Sequence, residues 1–489
     1  MKGKILCAAA AAVAAAMIAA LPGCEIIEDI FGDIFHEHTY SSSEWESDAG
    51  GHWNVCTGCG EHLNAAAHTT DDEWKSDASS HWQLCTVCGY AVNSAAHTPA
   101  EGWESDAASH WQVCTVCGYV LNSTAHTFNA QNECTVCGYS AAGAGEGSEA
   151  DIASADLSIH FIELGNKYTG DSTLIKVGDT EVLIDAGSRQ SSAPTIKAYI
   201  DKYCTDGVLE YVIATHSDQD HIAALVGTSS GGNYNGVLYS YEIGTIIRFD
   251  RTNKDTETAA GNPTLYGRFE TTVDYAEANG AAVYTGLQCY NQTDGAQRTY
   301  YLDEEQTISM NILYNYYYEH DSSDENNYSV CMLLSQELEG GEKNYLFTGD
   351  LEEEGEEYLV QYNELPEVEL FKAGHHGSPT SSNEVLLSVI RPKNVVVCCC
   401  AGSDEYTDNK DNQFPSQAFI SRVCKYTENV YVTTMVSDNE DEFEPMNGDI
   451  VFYYNKTEDE EAGSLKLWCS NNTTKLKDTE WFAANRVWE

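Results

Sequence analysis

The chain has 489 residues and a formal net charge of -52, from 77 acidic and 25 basic residues. That length exceeds one ordinary domain and is ample for a large core. The acidic balance argues against a broad basic nucleic-acid surface and against electrostatic adhesion to anionic lipid. The composition fits a soluble surface whose charges repel one another or hold cations.

The first 23 residues have the pattern of a targeting segment. Lys2 and Lys4 precede the apolar run "ILCAAAAAVAAAMIAAL", which is short and Ala-rich for a membrane-spanning helix. The run ends in "LPGC", which resembles a bacterial lipobox and implies lipidation of Cys24. An ordinary secretory signal cleaved nearby is the alternative. Both interpretations predict export, and the first predicts a lipoprotein on the outer face of the cell membrane, with residues 24–37 as a linker.

Residues 38–139 contain a 29-residue repeat in three full copies and one truncated copy. The full copies begin "HWNVCTGCG", "HWQLCTVCGY" and "HWQVCTVCGY", and each continues to a His-Thr pair. Two thiolates and two imidazoles suit tetrahedral Zn²⁺, and Cys-x-x-Cys brings two sulfurs to one ion. The candidate structural zinc ligands are His52, Cys56, Cys59, His68, His81, Cys85, Cys88, His97, His110, Cys114, Cys117, His126, Cys134 and Cys137.

The assignment of each His to a Cys pair stays open, because the His-Thr pair before a copy would serve as well as the one after it. Disulfides are the alternative to metal in an exported protein. The regular period and the His residues in register with every Cys pair favour zinc. The units resemble the short, zinc-ribbon-like Cys/His repeats of exported proteins from anaerobic, gut-type bacteria. That resemblance implies binding of a cell-surface partner and no catalysis.

Residues 140–156 are small and acidic and predict a flexible linker. From residue 157 to residue 455 the patterns of strands and helices alternate. Two strand-rich halves, each followed by helices, predict an α/β fold in which sheet packs on sheet with helices outside. Residues 456–489 predict an added edge hairpin or a packing tail.

Four segments carry chemistry, and each directly follows an apolar strand. They are "LIDAG" with Asp185, "ATHSDQDH" from residue 214, "LFTGD" with Asp350, and "LFKAGHHGSPTSS" from residue 370. Loops at strand ends are where rigid scaffolds present functional groups. His216 and Asp218 can point the same way from an extended strand end, whereas Asp220 and His221 turn into the next helix. One segment can therefore supply two neighbouring metal ions.

In this order the four segments resemble the metallo-β-lactamase superfamily, whose signature is His-x-His-x-Asp-His. Here Asp218 replaces the second His. This variant, with "FTGD" and "KAGHHGS", looks most like the hydrolase domain of ComEC-type DNA-uptake competence proteins. The resemblance covers residues 157–455 and implies the αββα sandwich, with a metal site at one edge of the facing sheets.

The resemblance also implies a site for two divalent ions, Zn²⁺ or Mn²⁺. Its implied ligands are His216, Asp218, Asp220, His221, Asp350 and His375, with His375 preferred over His376. Asp350 would bridge the ions, Asp185 would hold the geometry, and Asp220 could carry a proton. Lys372 would bind a substrate phosphate or extend to solvent. Other members place a further His before the bridging Asp. Because none lies between His320 and Asp350, weaker binding of the first ion is expected.

The predicted function is that of an exported, lipid-anchored hydrolase in which metal-bound hydroxide attacks an ester, first of all a phosphodiester of a nucleic acid or nucleotide. DNA conflicts with the acidic charge unless Lys372, Arg391 and Lys393 form a basic groove. A small phosphodiester, a nucleotide or a cell-wall ester avoids the conflict. The alternative is a non-catalytic surface protein whose repeats bind a partner and whose hydrolase fold is a scaffold.

Overall fold

The computed structural model describes residues 38–71, 73–105, 109–125, 134, 136–137, 144–145, 148–230, 233–437, 442–456 and 465–489. The chain divides into two compact units, Met1–Ala141 and Ala142–Glu489. The predicted signal segment, Cys24, the linker 24–37 and His126 lie outside the described residues. Among the described helices, none has both the length and the apolar character to cross a membrane.

Each full repeat folds as a three-stranded antiparallel sheet, with Cys-x-x-Cys in the turn between its second and third strands. The strands are β1 (Glu46–Asp48), β2 (Gly51–Val55), β3 (His62–Ala66), β4 (Lys75–Ser76), β5 (Ser80–Leu84), β6 (Ala91–Ala96), β7 (Glu104–Ser105), β8 (Ser109–Val113) and β9 (Val120–Ala125). Leu63 is the one buried apolar side chain besides cysteine in the described repeats. Such small units cannot be held by an apolar core alone.

The second unit contains the remaining strands. These are β10 (Ala144–Gly145), β11 (Leu157–Phe161), β12 (Thr173–Val177), β13 (Thr180–Ile184), β14 (Val208–Ala214), β15 (Ser229–Ser230), β16 (Asn233–Tyr234), β17 (Glu242–Arg248), β18 (Ala282–Thr285), β19 (Thr299–Tyr301), β20 (Ile308–Ile312), β21 (Met332–Gln336), β22 (Lys343–Phe347), β23 (Leu370–Lys372), β24 (Asn394–Ala401), β25 (Val430–Val436), β26 (Phe443–Pro445), β27 (Ile450–Tyr454) and β28 (Lys466–Cys469).

Its helices connect these strands. They are α1 (Glu149–Ala153), α2 (Ala193–Ile200), α3 (Gln219–Val226), α4 (Val237–Ser240), α5 (Leu265–Ala278), α6 (Gly286–Asn291), α7 (Glu353–Tyr362), α8 (Glu384–Ile390), α9 (Gln417–Val423) and α10 (Glu480–Asn485). Short 3-10 turns occupy Gln190–Ser192, Tyr316–Tyr318, Glu325–Tyr328, Gly374–Gly377, Lys410–Asn412 and Leu476–Asp478.

Two large mixed sheets form the second unit. The first has nine strands in the order β10-β28-β27-β11-β12-β13-β14-β17-β18, and the second has eight strands running in order from β19 to β26. β13, β14, β17 and β18 are parallel, as are β22 to β25. The carboxyl ends of parallel strands meet at one edge of a sheet, which is where functional loops collect.

The two sheets share one core. The rings of Phe161 in β11 and Phe347 in β22 lie 6.4 Å apart, centroid to centroid. Residues alternate along β24, so Cys398 packs in the core shared with the first sheet while Cys399 packs in the core under the outer helices. The predicted αββα sandwich is therefore confirmed.

Two segments beyond the predicted domain 157–455 contribute strands to the first sheet. Within the predicted linker, Ala144 in β10 pairs with Cys469 in β28, and β28 pairs with β27. Ser148 begins α1 by a capping box, accepting from the Asp151 backbone N–H and donating to its carboxylate. The small and acidic composition of the predicted linker hid this Ser-x-x-Asp signal. In residues 456–489, for which an edge hairpin or a packing tail was expected, β28 pairs antiparallel with β27.

A half-buried pair of carboxyl groups makes the second unit sensitive to pH. The Glu163 backbone N–H donates to Asp449 Oδ1 over 2.8 Å. Burial, together with the Asp449 charge, raises the pKa of Glu163 to about 7, and burial raises the pKa of Asp449 to about 6. A raised carboxyl pKa stabilises the fold below the unfolded pKa, and that contribution is lost as pH rises through the folded pKa.

We therefore expect Glu163→Gln to flatten the decline in melting temperature between about pH 5 and pH 8. The removed contribution is about 2–3 kcal/mol. Thermal unfolding of both proteins at the two pH values measures it. Glu337→Gln, at an exposed carboxylate, is the matched control and should keep the wild-type pH dependence. Identical slopes for Glu163→Gln and wild type would contradict the account.

Candidate metal centre

Loops from both sheets bring the predicted residues to one place. Asp185 follows β13, His216 follows β14, Asp350 follows β22, and the Gly374–Gly377 turn follows β23. Gly349, just before Asp350, has φ of +55°, and a Cβ there would lie 2.7 Å from Ser329 Oγ. Glycine is therefore required for the chain to enter the site at this point.

Four buried side chains form the centre of the site. Ligand atoms of Asp171, His221, Asp350 and His376 all lie within 4.8 Å of one another. Asp350 Oδ2 is 3.0 Å from His221 Nε2 and 3.1 Å from His376 Nε2. Asp171 Oδ1 is 3.2 Å from His376 Nδ1. Two carboxylates and two imidazoles at this spacing can surround a divalent cation.

Groups behind the two imidazoles fix their orientation. Asp185 Oδ2 lies 2.8 Å from His221 Nδ1, and Asp185 also accepts from the N–H and the hydroxyl of Thr215 over 2.8 and 2.7 Å. His376 Nδ1 donates to the Cys398 carbonyl over 2.8 Å. Each ring therefore directs Nε2 at Asp350, which is the arrangement that outer partners impose on metal-binding histidines.

The structure places His376, and not the preferred His375, in the cluster. His376 is fully buried, whereas the His375 side chain is 22% exposed and its Nδ1 lies 2.7 Å from Glu352 Oε1. Both residues have left-handed backbone, with φ of +53° and +41°. The tight turn sends the two adjacent side chains in different directions, which the sequence pattern "HHGS" could not show.

A third imidazole, that of His216, lies beside this cluster. It is fully buried, and its Nε2 makes no hydrogen bond within the described part of the chain. Burial and the neighbouring His221 lower the pKa of His216. Its ring centroid is 4.1 Å from that of His221. A neutral ring keeps the lone pair that a metal ion needs.

The two aspartates of the same segment have different surroundings. The Asp218 side chain is 28% exposed, and its Oδ1 lies 2.7 Å from Lys254 Nζ, while its Oδ2 is 3.8 Å from His216 Nε2. Asp220 Oδ2 accepts from the Tyr406 hydroxyl over 2.5 Å and lies 3.5 Å from His376 Nε2. Asp220 thus joins the cluster, and Asp218 stays at its rim in this arrangement.

Lys372 lies inside the site. Its side chain is buried, and its ammonium contacts Asp171 Oδ2 and lies 3.5 Å from Asp350 Oδ1. The other two cations that DNA binding would need also lie beside carboxylates, since Lys393 pairs with Glu369 over 2.7 Å and Arg391 lies 3.4 Å from Glu367. A net acidic chain supplies a carboxylate to each of these cations.

The buried charged groups of the cluster shift one another's pKa values. Burial acts to lower the pKa of His221 and His376, but Asp350 with Asp185 or Asp171 raises both well above the usual range. Burial likewise opposes ionisation of Asp350, yet the two histidines and Lys372 hold its pKa well below the usual range. Asp350 Oδ1, His216 Nε2 and His376 Nε2 make no hydrogen bond among the described residues. These oriented donors fit a divalent cation, Zn²⁺ or Mn²⁺.

Sequence reasoning missed Asp171 and Tyr406. Asp171 ends "TGD" at residues 169–171, the same three letters that end in Asp350, so a search for this repeated pattern at a strand boundary would have found it. Tyr406 lies in a loop without a recognisable pattern, and only the fold brings its hydroxyl to Asp220.

A cleft of about 970 Å³ lies beside the site at Glu352. The aromatic and acidic stretch from residue 316 lines it, together with carboxylates at the start of α7. Tyr316 stacks on Tyr358 with ring centroids 4.1 Å apart. The walls of this cleft are therefore aromatic and negatively charged.

The predicted zinc ligands of the repeats form separate clusters. They group as His52, His68, Cys85 and Cys88; as His81, His97, Cys114 and Cys117; as His38, Cys56 and Cys59; and as His110, Cys134 and Cys137. Each His-Trp histidine therefore lies beside the Cys pair of the following copy and not beside that of its own.

Comparison with known proteins agrees with the fold. Residues 165–259 match the model of the Metallo-beta-lactamase superfamily. The second unit therefore has the metallo-β-lactamase fold, with sequence similarity to this superfamily over residues 165–259. The matched range holds Asp171, Asp185 and the whole His216–His221 segment.

Two curated proteins share weak similarity with this domain. Recombination protein 2 of Haemophilus influenzae is 30% identical over 112 residues, covering 22% of this chain and 13% of that protein. ComE operon protein 3 of Bacillus subtilis is 31% identical over 77 residues, covering 16% of this chain and 9% of that protein. This chain thus spans only a small part of either relative.

Among solved structures, the metallo-beta-lactamase fold protein YhfI from Bacillus subtilis aligns with 10% identity and a TM-score of 0.32, over 56% of this chain and 95% of that one. Tm1679, described as a metal-dependent hydrolase of the beta-lactamase superfamily, aligns with 11% identity and a TM-score of 0.31, over 56% of this chain and 94% of that one.

Proposed function

We propose that the second unit is a metal-dependent hydrolase of small phosphodiesters. The observation that carries this proposal is the buried cluster of Asp171, His221, Asp350 and His376, joined by the unpartnered Nε2 of His216. A divalent cation there lowers the pKa of water and polarises a phosphoryl oxygen. Burial of so many ionisable groups costs stability, and such sites are characteristic of function.

The protein's own groups would bind and orient the cation and its substrate. The imidazoles of His216, His221 and His376 would hold the cation, and Asp350 lies between the last two. Asp185 fixes the His221 ring from behind. Burial opposes ionisation of Asp220, but the His376 and His221 rings lower its pKa, so it stays an ionised carboxylate that can face a cation. A carboxylate with a lowered pKa is a weak base, which argues against the predicted proton-carrying role of Asp220. The Tyr406 hydroxyl holds that carboxylate toward the site.

The acidic surroundings favour a small substrate over a long nucleic acid. Lys372 is buried against Asp171, and the exposed Arg391 and Lys393 each lie beside a glutamate that reduces the local positive charge. The neighbouring cleft adds Glu352 and Glu354. Polyanion binding relies on unpaired Lys and Arg, so a nucleotide or another compact diester fits this surface better.

Export and lipid anchoring through Cys24 are part of the same proposal and rest on the "LPGC" pattern. They place the hydrolase and its repeats outside the cell, held by the lipid. Cys24→Ser should release the protein from the membrane fraction, since one acylated Cys would be its anchor. Membrane retention of this variant would refute anchoring without affecting the hydrolase proposal.

The test of function is hydrolysis of bis(p-nitrophenyl) phosphate by the full chain supplied with Zn²⁺ or Mn²⁺. We expect His216→Ala and Asp220→Ala to lose on the order of 100-fold in rate while remaining folded. His62→Ala is the matched control, since that exposed ring stacks on Trp53 in the first unit, outside the cluster. A folded, metal-loaded protein inactive on this and on other phosphodiesters and esters would favour the non-catalytic surface role.

A further inference from the structure

Ligands from successive repeats meet in the N-terminal unit. His52 and His68 belong to one copy, and Cys85 and Cys88 belong to the next. His52 Nδ1 lies 3.5 Å from Cys85 Sγ, and His68 Nδ1 lies 3.5 Å from Cys88 Sγ. In the following cluster the corresponding distances, from His81 to Cys114 and from His97 to Cys117, are 3.6 and 3.4 Å.

These distances match the edges of a zinc tetrahedron. With Zn–S of about 2.3 Å and Zn–N of about 2.0–2.1 Å, tetrahedral angles place sulfur and nitrogen about 3.6 Å apart. All four ligand atoms in each cluster lie within 4.8 Å of one another. The geometry recurs in two complete clusters, so it belongs to the repeat and not to one local arrangement.

Other residues of the repeat orient the imidazoles. His68 Nε2 lies 2.7 Å from the Asp48 carbonyl, and His97 Nε2 lies 2.7 Å from the Asp77 carbonyl. Donation from Nε2 leaves the Nδ1 lone pair facing the sulfurs. Tyr90 of the next copy stacks on His68 with centroids 4.9 Å apart. Trp45 likewise packs edge-on against His52, so aromatic residues of the repeat hold the ligand rings in place.

The backbone also joins one copy to the next. The Thr86 N–H, directly after Cys85, donates to the Thr69 carbonyl over 2.8 Å, and Thr115 donates to Thr98 over 3.0 Å. These bonds dock each Cys turn against the preceding His-Thr pair. Apolar burial adds little, since Leu63 is the one buried non-cysteine apolar residue in the described repeats.

We propose that Zn²⁺ ions fasten each repeat to the following one, with two imidazoles from one copy and two thiolates from the next. Every zinc site in the array then links two copies in the same order, with imidazoles from the earlier copy and thiolates from the later one. The array's first described Cys pair, Cys56 and Cys59, takes His38, and its last, Cys134 and Cys137, takes His110. Zinc then sets how successive copies are held together, because structural zinc binding is folding free energy in units this small.

Site-resolved alkylation of the zinc-loaded full chain tests the pairing. Iodoacetamide labelling followed by peptide mass spectrometry reports each Cys pair separately. We expect His52→Ala to raise the labelling rate of Cys85 and Cys88 at least about 10-fold, since a ligated thiolate is protected, and to leave Cys56 and Cys59 unchanged. His81→Ala and His110→Ala should each expose the pair one copy downstream in the same way.

His62→Ala is the matched control, because this exposed ring stacks on Trp53 outside every cluster. It should leave all pairs protected. Exposure of a variant's own-copy pair would overturn the proposal, as would equal exposure of all pairs in every variant. Equal labelling of zinc-loaded and chelator-treated wild type would also overturn it. The readout uses cysteines of the repeats alone, so it is independent of hydrolase activity.

Discussion

Replacing His376 by alanine is expected to remove the metal from the hydrolase centre. His376 Nε2 lies 3.1 Å from Asp350 Oδ2 in a fully buried setting, and its Nδ1 is held by the Cys398 carbonyl. Loss of an oriented ligand should weaken metal affinity by at least about 100-fold, with an equal or larger loss of hydrolysis. Titration of the metal-free full chain with Mn²⁺, which avoids the thiolate sites of the repeats, measures the affinity.

His375→Ala is the matched control at the adjacent position. This side chain lies against Glu352 and is partly exposed, so its loss should change affinity for Mn²⁺ by no more than about 3-fold. The reverse result, with affinity lost in His375→Ala and kept in His376→Ala, would return the ligand role to His375. It would show that the turn at Gly374–Gly377 is arranged differently in the metal-bound protein.

Replacing Lys372 by methionine is expected to destabilise the metal-free protein strongly. Its buried ammonium contacts Asp171 and lies 3.5 Å from Asp350, and these charges raise its pKa above the usual range against the effect of burial. Removing one partner of a buried ion pair leaves an uncompensated charge and costs about 3–5 kcal/mol. Thermal unfolding of the full chain without metal should show the loss.

Metal should restore much of that stability, since a divalent cation compensates the same two carboxylates. The melting temperature of Lys372→Met should therefore rise more on addition of Mn²⁺ than that of wild type. Asp171→Asn in the Lys372→Met background is the matched second variant, and it should recover part of the stability without metal. Equal destabilisation with and without Mn²⁺ would show that Lys372 does not share its carboxylate partners with the metal ion.

The architecture could be predicted because short stretches of sequence show the apolar patterns of strands and helices. Apolar strands such as "VIAT" and "NVVVCCC" end in polar loops, and two groups of such strands imply two packed sheets. The edge of the first sheet could not be predicted in the same way. β10 has only two residues, Ala144 and Gly145, and its pairing with β28 joins segments more than 300 residues apart.

The site was predictable where one short segment carries several ligands. His216, Asp220 and His221 come together because a strand end and a helix start fix their directions. Asp171 was missed although it repeats the "TGD" that ends in Asp350. Tyr406 was not predictable, since it reaches the site from a loop positioned by the whole fold. The choice between His375 and His376 depends on two left-handed backbone angles, and adjacent identical residues carry no signal for those.

In the repeats, too, the sequence alone could not show which residues lie together. Their composition indicates zinc, but the period allows His52 to pair with Cys56 and Cys59 or with Cys85 and Cys88. Only the contact between copies distinguishes the two.

The central claim is that the buried cluster around Asp350 binds a catalytic metal. Anomalous X-ray diffraction at the zinc edge, from crystals of the full chain grown with Zn²⁺, locates each ion separately from those in the repeats. The account predicts a peak about 2.0–2.2 Å from His221 Nε2, His376 Nε2 and an Asp350 oxygen. Well-occupied peaks at the Cys pairs with none near Asp350 would contradict it.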